Sequence, residues 1–179
     1  NARSPALNVD SDDPRGSGLA VHALLRFDGI FGTDATQVPP NASIVSASLE
    51  FSTTDGGDGA RLYRAVQGWS DEDTWVAFGG DGIQPGAETE ETQEASTVGF
   101  DGAVCVDVMR TVQSWSDDPC ANFGWALLPT GENGWDFESS EGDSPPRLVV
   151  EYAISSDEAL VVPGDTWRYF PGRTAPPLD

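Results

Sequence analysis

"SIVSASLEFSTTDGGDGARLYRAVQGW", residues 43–69, decides the fold. Its first ten residues alternate. Val45, Ala47, Leu49 and Phe51 fall on one side, and Ser46, Ser48 and Glu50 on the other, the period of a half-buried strand. "TTDGGDG" (53–59) has the glycines of a hairpin loop. "ARLYRAVQGW" (60–69) then reads as the return strand.

The same grammar repeats on both sides. Upstream, "LAVHALLRFD" (19–28) sets Val21, Ala23, Leu25 and Phe27 on one face and His22, Leu24, Arg26 and Asp28 on the other. "TQVPPNA" (36–42) is a prolyl turn. Downstream, "AVCVDV" (103–108) is a short strand. "NFGWALLPT" (122–130) and "GWDFESS" (134–140) are strands joined by "GENG", whose turn chemistry predicts a second hairpin. "PRLVVEYAI" (146–154) is the closing strand. Residues 79–97 are the most loop-like stretch and predict a long surface excursion. One segment changes period: in "DVMRTVQSW" (107–115), Val108, Val112 and Trp115 recur at helical spacing behind Asp107, a residue suited to capping. Short strands, regular turns and one short helix predict an all-β fold, an antiparallel jelly-roll β-sandwich. The domain is expected over 1–154. Residues 155–179 read as a C-terminal linker or the start of a further module.

Composition narrows the function. The chain of 179 residues carries 30 acidic and 9 basic side chains, a formal charge of −21, and all nine basic residues are arginines. Nucleic acid needs a basic footprint, which this chain lacks. The same charge disfavours anionic membranes, and no segment is long and apolar enough to cross a bilayer. Cys105 and Cys120 flank the predicted helix with no histidine or further cysteine between them, so a disulfide is the preferred reading and two free thiols the alternative. A bridge would imply an oxidising compartment and contribute roughly 3 kcal/mol by loop closure.

Catalytic signatures are missing from the sequence. His22 is the only histidine, no serine lies in a Gly-x-Ser-x-Gly elbow, and there is no lysine for a Schiff base. With 30 acids, chance carboxylate pairs are inevitable, so no glycosidase dyad follows. The chain is read as a non-enzyme.

Binding chemistry is better represented. Sugars stack on exposed aromatic faces. Trp115 lies on the helix's apolar stripe and Trp125 alternates with Phe123 and Leu127, which makes both core residues. Trp69 and Trp75 bracket the polar turn "SDEDTW", and Trp135 follows the "GENG" turn, where exposure is expected. Tyr63, Arg64, Trp69, Trp75 and Trp135 are therefore the predicted wall of a saccharide groove. Arg26 and Glu50 are expected to pair across the sheet, and Arg147 to find a carboxylate near Glu141. "DSDDPRGSG" (10–18) and "TDGGDG" (54–59) place carboxylates in glycine-rich loops. Asp10, Asp12, Asp13, Asp55 and Asp58 are thus candidate ligands for a structural calcium ion, although neither loop has EF-hand spacing. Asn41, in "NAS", fits the N-glycosylation sequon and marks a surface turn.

In order, "LLRFD", "ASIVSASLEFS", "RLYRAVQGWSDEDTW", "VDVMRTVQSW", "NFGWALLP", "WDFESSE" and "PRLVVEY" resemble the DNRLRE domain family over residues 5–154. That family includes alginate-binding carbohydrate-binding modules. The resemblance implies a secreted, non-catalytic jelly roll attached to a larger extracellular or cell-surface protein, with polysaccharide as partner. It also implies a further strand ahead of "NARSPALNVD", so an open sheet edge and self-assembly by strand exchange are expected alternatives. The chain would then be a structural or adhesive module of a surface assembly or filament, binding protein. Alginate is a polyanion and this chain carries −21, so the charge departs from the family's ligand.

Overall fold

Strand β3 (Ser43–Asp55) is the axis of one sheet and turns a single strand into a hub. On one side it pairs with β6 (Gly102–Asp107); on the other it pairs with β9 (Arg147–Ala153) along its first half and with β8 (Trp135–Glu138) at its end. Strand β1 (Ala6–Val9) adds to β8. A second sheet has the order β2 (Ala23–Leu25), β7 (Trp125–Pro129), β4 (Gly57–Arg64), β5 (Ala95–Gly99). All strand pairs are antiparallel. The two sheets and one short helix, α1 (Met109–Asp117), make an all-β sandwich. This computed structural model describes residues 4–154; the expected linker or further module at 155–179 lies outside the described residues.

Neither glycine-rich connection is a hairpin. β3 belongs to the first sheet and β4 to the second, and the chain crosses between them at Gly56. Likewise β7 and β8 belong to opposite sheets, joined through "GENG". The glycines serve close approach of two arches. A Cβ on Gly57 would lie 2.0 Å from the Gly134 carbonyl oxygen. The Asp58 amide donates to the Asn133 carbonyl at 2.8 Å, and the Asn133 amide donates to the Asp58 carboxylate at 3.1 Å. Turn chemistry marks a reversal, and a reversal between sheets uses the same residues as the hairpin expected within one.

The inward face of β3 also differs from simple alternation. Its register to β9 shifts between Ile44 and Ser46, so Val45 is an extra residue. Ile44 is buried and Val45 is 53% exposed, while Ala47, Leu49 and Phe51 face the core as expected. A bulge of one residue flips every side chain on its far side.

Between the sheets, Leu49, Phe51, Val104, Val106 and Phe137 meet Ala23, Leu62, Trp125 and Leu127. Trp135 is fully buried here, edge-on to Phe51 at 5.5 Å between ring centroids. Its Nε1 donates to Thr53 Oγ1 at 2.9 Å. Helix α1 closes one end of the sandwich with Val112 and Trp115, and Trp115 packs on Trp125 at 4.4 Å between ring centroids. Asp107 accepts from the Met109 amide at 2.9 Å, just ahead of the first turn. Glu94, whose side chain is nearly buried, accepts from the Thr111 amide at 3.1 Å and pairs with Arg110 at 2.8 Å. The start of the helix is therefore fixed by acceptors that suit its positive end.

Three local pairings differ from expectation. Cys105 and Cys120 are both exposed free thiols, and no disulfide joins them. Val104 and Val106 take the core face of β6, which turns Cys105 outward, while Cys120 lies in a 3-10 turn beyond the helix. The argument from a bridge to an oxidising compartment falls with it. Glu50 lies in β3 of the first sheet and Arg26 just beyond β2 of the second, so they do not pair across a sheet. Arg26 pairs with Asp28 at 2.8 Å, and Glu50 with Arg147 at 3.5 Å. Arg147 therefore finds its carboxylate on β3 rather than at Glu141.

Candidate ligand groove

The outer face of the second sheet is not left bare. The long excursion after β4 folds back over it and buries Phe78 and Ile83 against Ala126, with Leu24, Trp69 and Leu128 at the margin. This second, smaller core explains why Leu24 is apolar on a face that alternation assigns to solvent. It also raises a wall. Residues 21–27, from both faces of the edge strand β2 and its flanks, line a groove of about 640 Å³ together with Leu7 of β1. Trp69, Trp75 and residues of the turn between them also line it, as do Ser139, Ser140 and Glu141.

Trp75 opens a 3-10 turn over Trp75–Phe78 and is 41% exposed. Its ring lies 5.0 Å from that of His22, centroid to centroid. Its other support is Gly82, where a Cβ would come within 1.8 Å of the indole and where φ is +77°. Only glycine meets both demands at once. The indole thus touches both His22 and Gly82 while part of the residue's surface faces solvent.

Trp69 is fixed more firmly. Its Nε1 donates to the Phe123 carbonyl at 2.6 Å. The Arg26 guanidinium sits 5.0 Å from its ring centroid and donates to its carbonyl at 3.1 Å. Because Arg26 also pairs with Asp28, its charge is committed within the protein. His22 is half-buried beside these rings, and its Nδ1 is buried without a hydrogen-bond partner. Burial pushes its imidazole below the ordinary value of 6.5, so the ring is neutral at pH 7.

Of the five predicted groove residues, the structure brings together Trp69 and Trp75. Tyr63 is buried on β4, and Arg64 is bound by Ser114 and Glu90; neither lines the groove. Trp135, expected beside a turn and exposed, is a core residue and presents no face to a ligand. The residues that sequence reasoning passed over are His22 and Arg26. Their signal was the alternation of "LAVHALLRFD", which placed His22, Leu24 and Arg26 on one non-core face.

The five candidate calcium carboxylates do not converge. Among the described residues, no three His, Cys, Asp or Glu side chains form a group that could hold a metal ion. Several instead hold their own loops. Asp10 accepts from the Asp12 amide at 2.8 Å, and Asp12 accepts from the Gly16 and Gly18 amides at 2.5 and 2.6 Å. Those bonds hold the Asp12 carboxyl below its usual range. Asp58 braces the second arch, as described above, while Asp13 and Asp55 are exposed. Asn41 is also exposed, at φ +62°, in the turn before β3.

A scan against protein-family models finds no match to the chain, and a search of curated proteins finds none either.

Proposed function

We propose that this domain is a non-catalytic polysaccharide-binding module of a larger extracellular or cell-surface protein, and that the groove around the β2 edge of the second sheet is its ligand site. The observation that carries the reading is the half-exposed Trp75 indole set in a groove rimmed by hydroxyls and carboxylates. An indole face receives the apolar side of a pyranose, and short polar side chains beside it bond to ring hydroxyls. Ser70, Thr74, Ser139 and Ser140 supply the latter. The order of motifs resembling DNRLRE modules supports the same class of ligand, and the exposed sequon at Asn41 fits an extracellular setting. Retention on immobilised polysaccharides tests the reading. Trp75→Ala should lose retention while the melting temperature stays near that of the parent. Unchanged retention would exclude this groove.

A second reading has one observation in its favour. Among the described residues β9 pairs with β3 on one side only, and Val149 and Tyr152 are exposed along it, with Ile154 exposed just beyond its end. A free edge with apolar side chains can accept a strand from another chain. Concentration-dependent assembly, blocked by proline in β9, would favour that structural or adhesive role.

A further inference from the structure

We propose that the groove selects cationic sugars, namely polysaccharides bearing free amino groups, over uronate polymers and over their N-acetylated forms. This rests on the polysaccharide reading above and names its ligand class. Asp71, Asp73 and Glu141 line the groove beside Trp69 and Trp75. Among the described residues, Asp71 and Glu141 make no ion pair, and the Asp73 carboxylate accepts only from the Ser70 amide, at 2.7 Å. Arg26 is the one arginine lining the groove among the described residues, and Asp28 and the Trp69 ring already engage it. Among the described residues, the uncommitted charge lining the groove is therefore negative.

A protonated amino sugar satisfies each part of this surface. Its apolar face stacks on Trp75, and its ammonium lies against the negative faces of the indoles and within the field of the carboxylates. The whole-chain charge of −21 steers the same ligand inward and repels a uronate chain. An acetylated amine keeps the stacking and loses the charge.

The test is calorimetric titration of the full chain with three soluble oligosaccharides: glucosamine oligomers, N-acetylglucosamine oligomers and mannuronate oligomers. At about 50 mM salt the glucosamine oligomer should bind about tenfold more tightly than the acetylated one, and the mannuronate oligomer should not bind. Asp71→Asn combined with Glu141→Gln should erase most of that preference without weakening the acetylated oligomer. Trp75→Ala should abolish binding of both amino-sugar forms. Equal affinity for the free and acetylated forms, unmoved by the charge variant, would overturn the cationic preference and leave the polysaccharide reading standing. Glucosamine binding that survives Trp75→Ala would be attraction to the acidic surface at large and would overturn it too. Failure of all three oligomers to bind would overturn the preference; retention of some other polysaccharide through Trp75 would still uphold the broader reading.

Discussion

Trp135 and Trp75 each stand next to a glycine-dependent turn, yet they have opposite fates. Trp135 enters the space between the sheets, where Phe51 and Phe137 surround it and Thr53 accepts its indole N–H. Trp75 rests on Gly82 and His22 outside the second sheet, with 41% of its surface exposed. One ring is part of what keeps the sheets together; the other is presented by structure that the sheets support. Tryptophan content alone therefore says little about ligand binding, and the element that carries the ring decides.

Alanine at each position separates the two roles most sharply. Trp135→Ala should destabilise the domain by about 3–5 kcal/mol, because it empties a packed interior. Urea denaturation should show it, and the melting temperature should fall by about 10 °C or more. Trp75→Ala should change stability by less than about 1 kcal/mol, as expected for a half-exposed side chain away from the main core. A large loss from Trp75→Ala would mean that the groove wall is part of the main folding unit.

The glycines beneath these rings extend the comparison. Gly82→Ala should displace the Trp75 indole, because the added methyl overlaps it and the backbone there has positive φ. Ligand retention should fall as it does in Trp75→Ala, with destabilisation of about 1–2 kcal/mol. Gly99→Ala directs its Cβ to within 2.5 Å of Trp135 and should act through stability instead. Thermal melts run beside retention assays distinguish the pair.

A smaller effect comes from His22. The unfolded chain takes up its proton more readily than the folded one, because burial holds its folded pKa below 6.5. Stability from this residue is complete above that value and declines as the pH drops through 6.5 toward the lower folded pKa. His22→Gln should flatten the change in melting temperature in that window relative to the parent. An identical pH profile in the variant would place the titration elsewhere.

The smallest effect concerns the thiols. Cys105 and Cys120 should both react with a thiol reagent in the native protein, and reductant should leave the melting temperature unmoved. A shift on reduction would restore the bridge that the structure lacks.

Much of the architecture is legible in the sequence because periodicity reports local burial. Val112 and Trp115 sit on the helix stripe as their spacing indicates, and Trp125 and Leu127 share the inner face of β7. What the sequence hides are relations between segments. "TTDGGDG" and "GENG" announce reversals, but nothing local states that each passes from one sheet to the other. Val45 satisfies alternation and is displaced by a bulge that only its pairing with β9 reveals. Trp135 did carry a usable signal: it alternates with Phe137 on one face of β8, and that period outweighs its closeness to a turn. The groove was half legible. Its two indoles flank a polar turn in the sequence, whereas His22 and Arg26 join them only because the excursion after β4 folds back over β2.

Two-dimensional amide and indole NMR during titration with a retained polysaccharide tests the central claim most directly. The account predicts that the Trp75 indole N–H signal moves, together with backbone amides near His22 and Ser140, while the Trp115, Trp125 and Trp135 indole signals stay in place. Perturbation confined to the amides of β9, with the Trp75 signal unmoved, would contradict it and place the binding surface on the sheet edge.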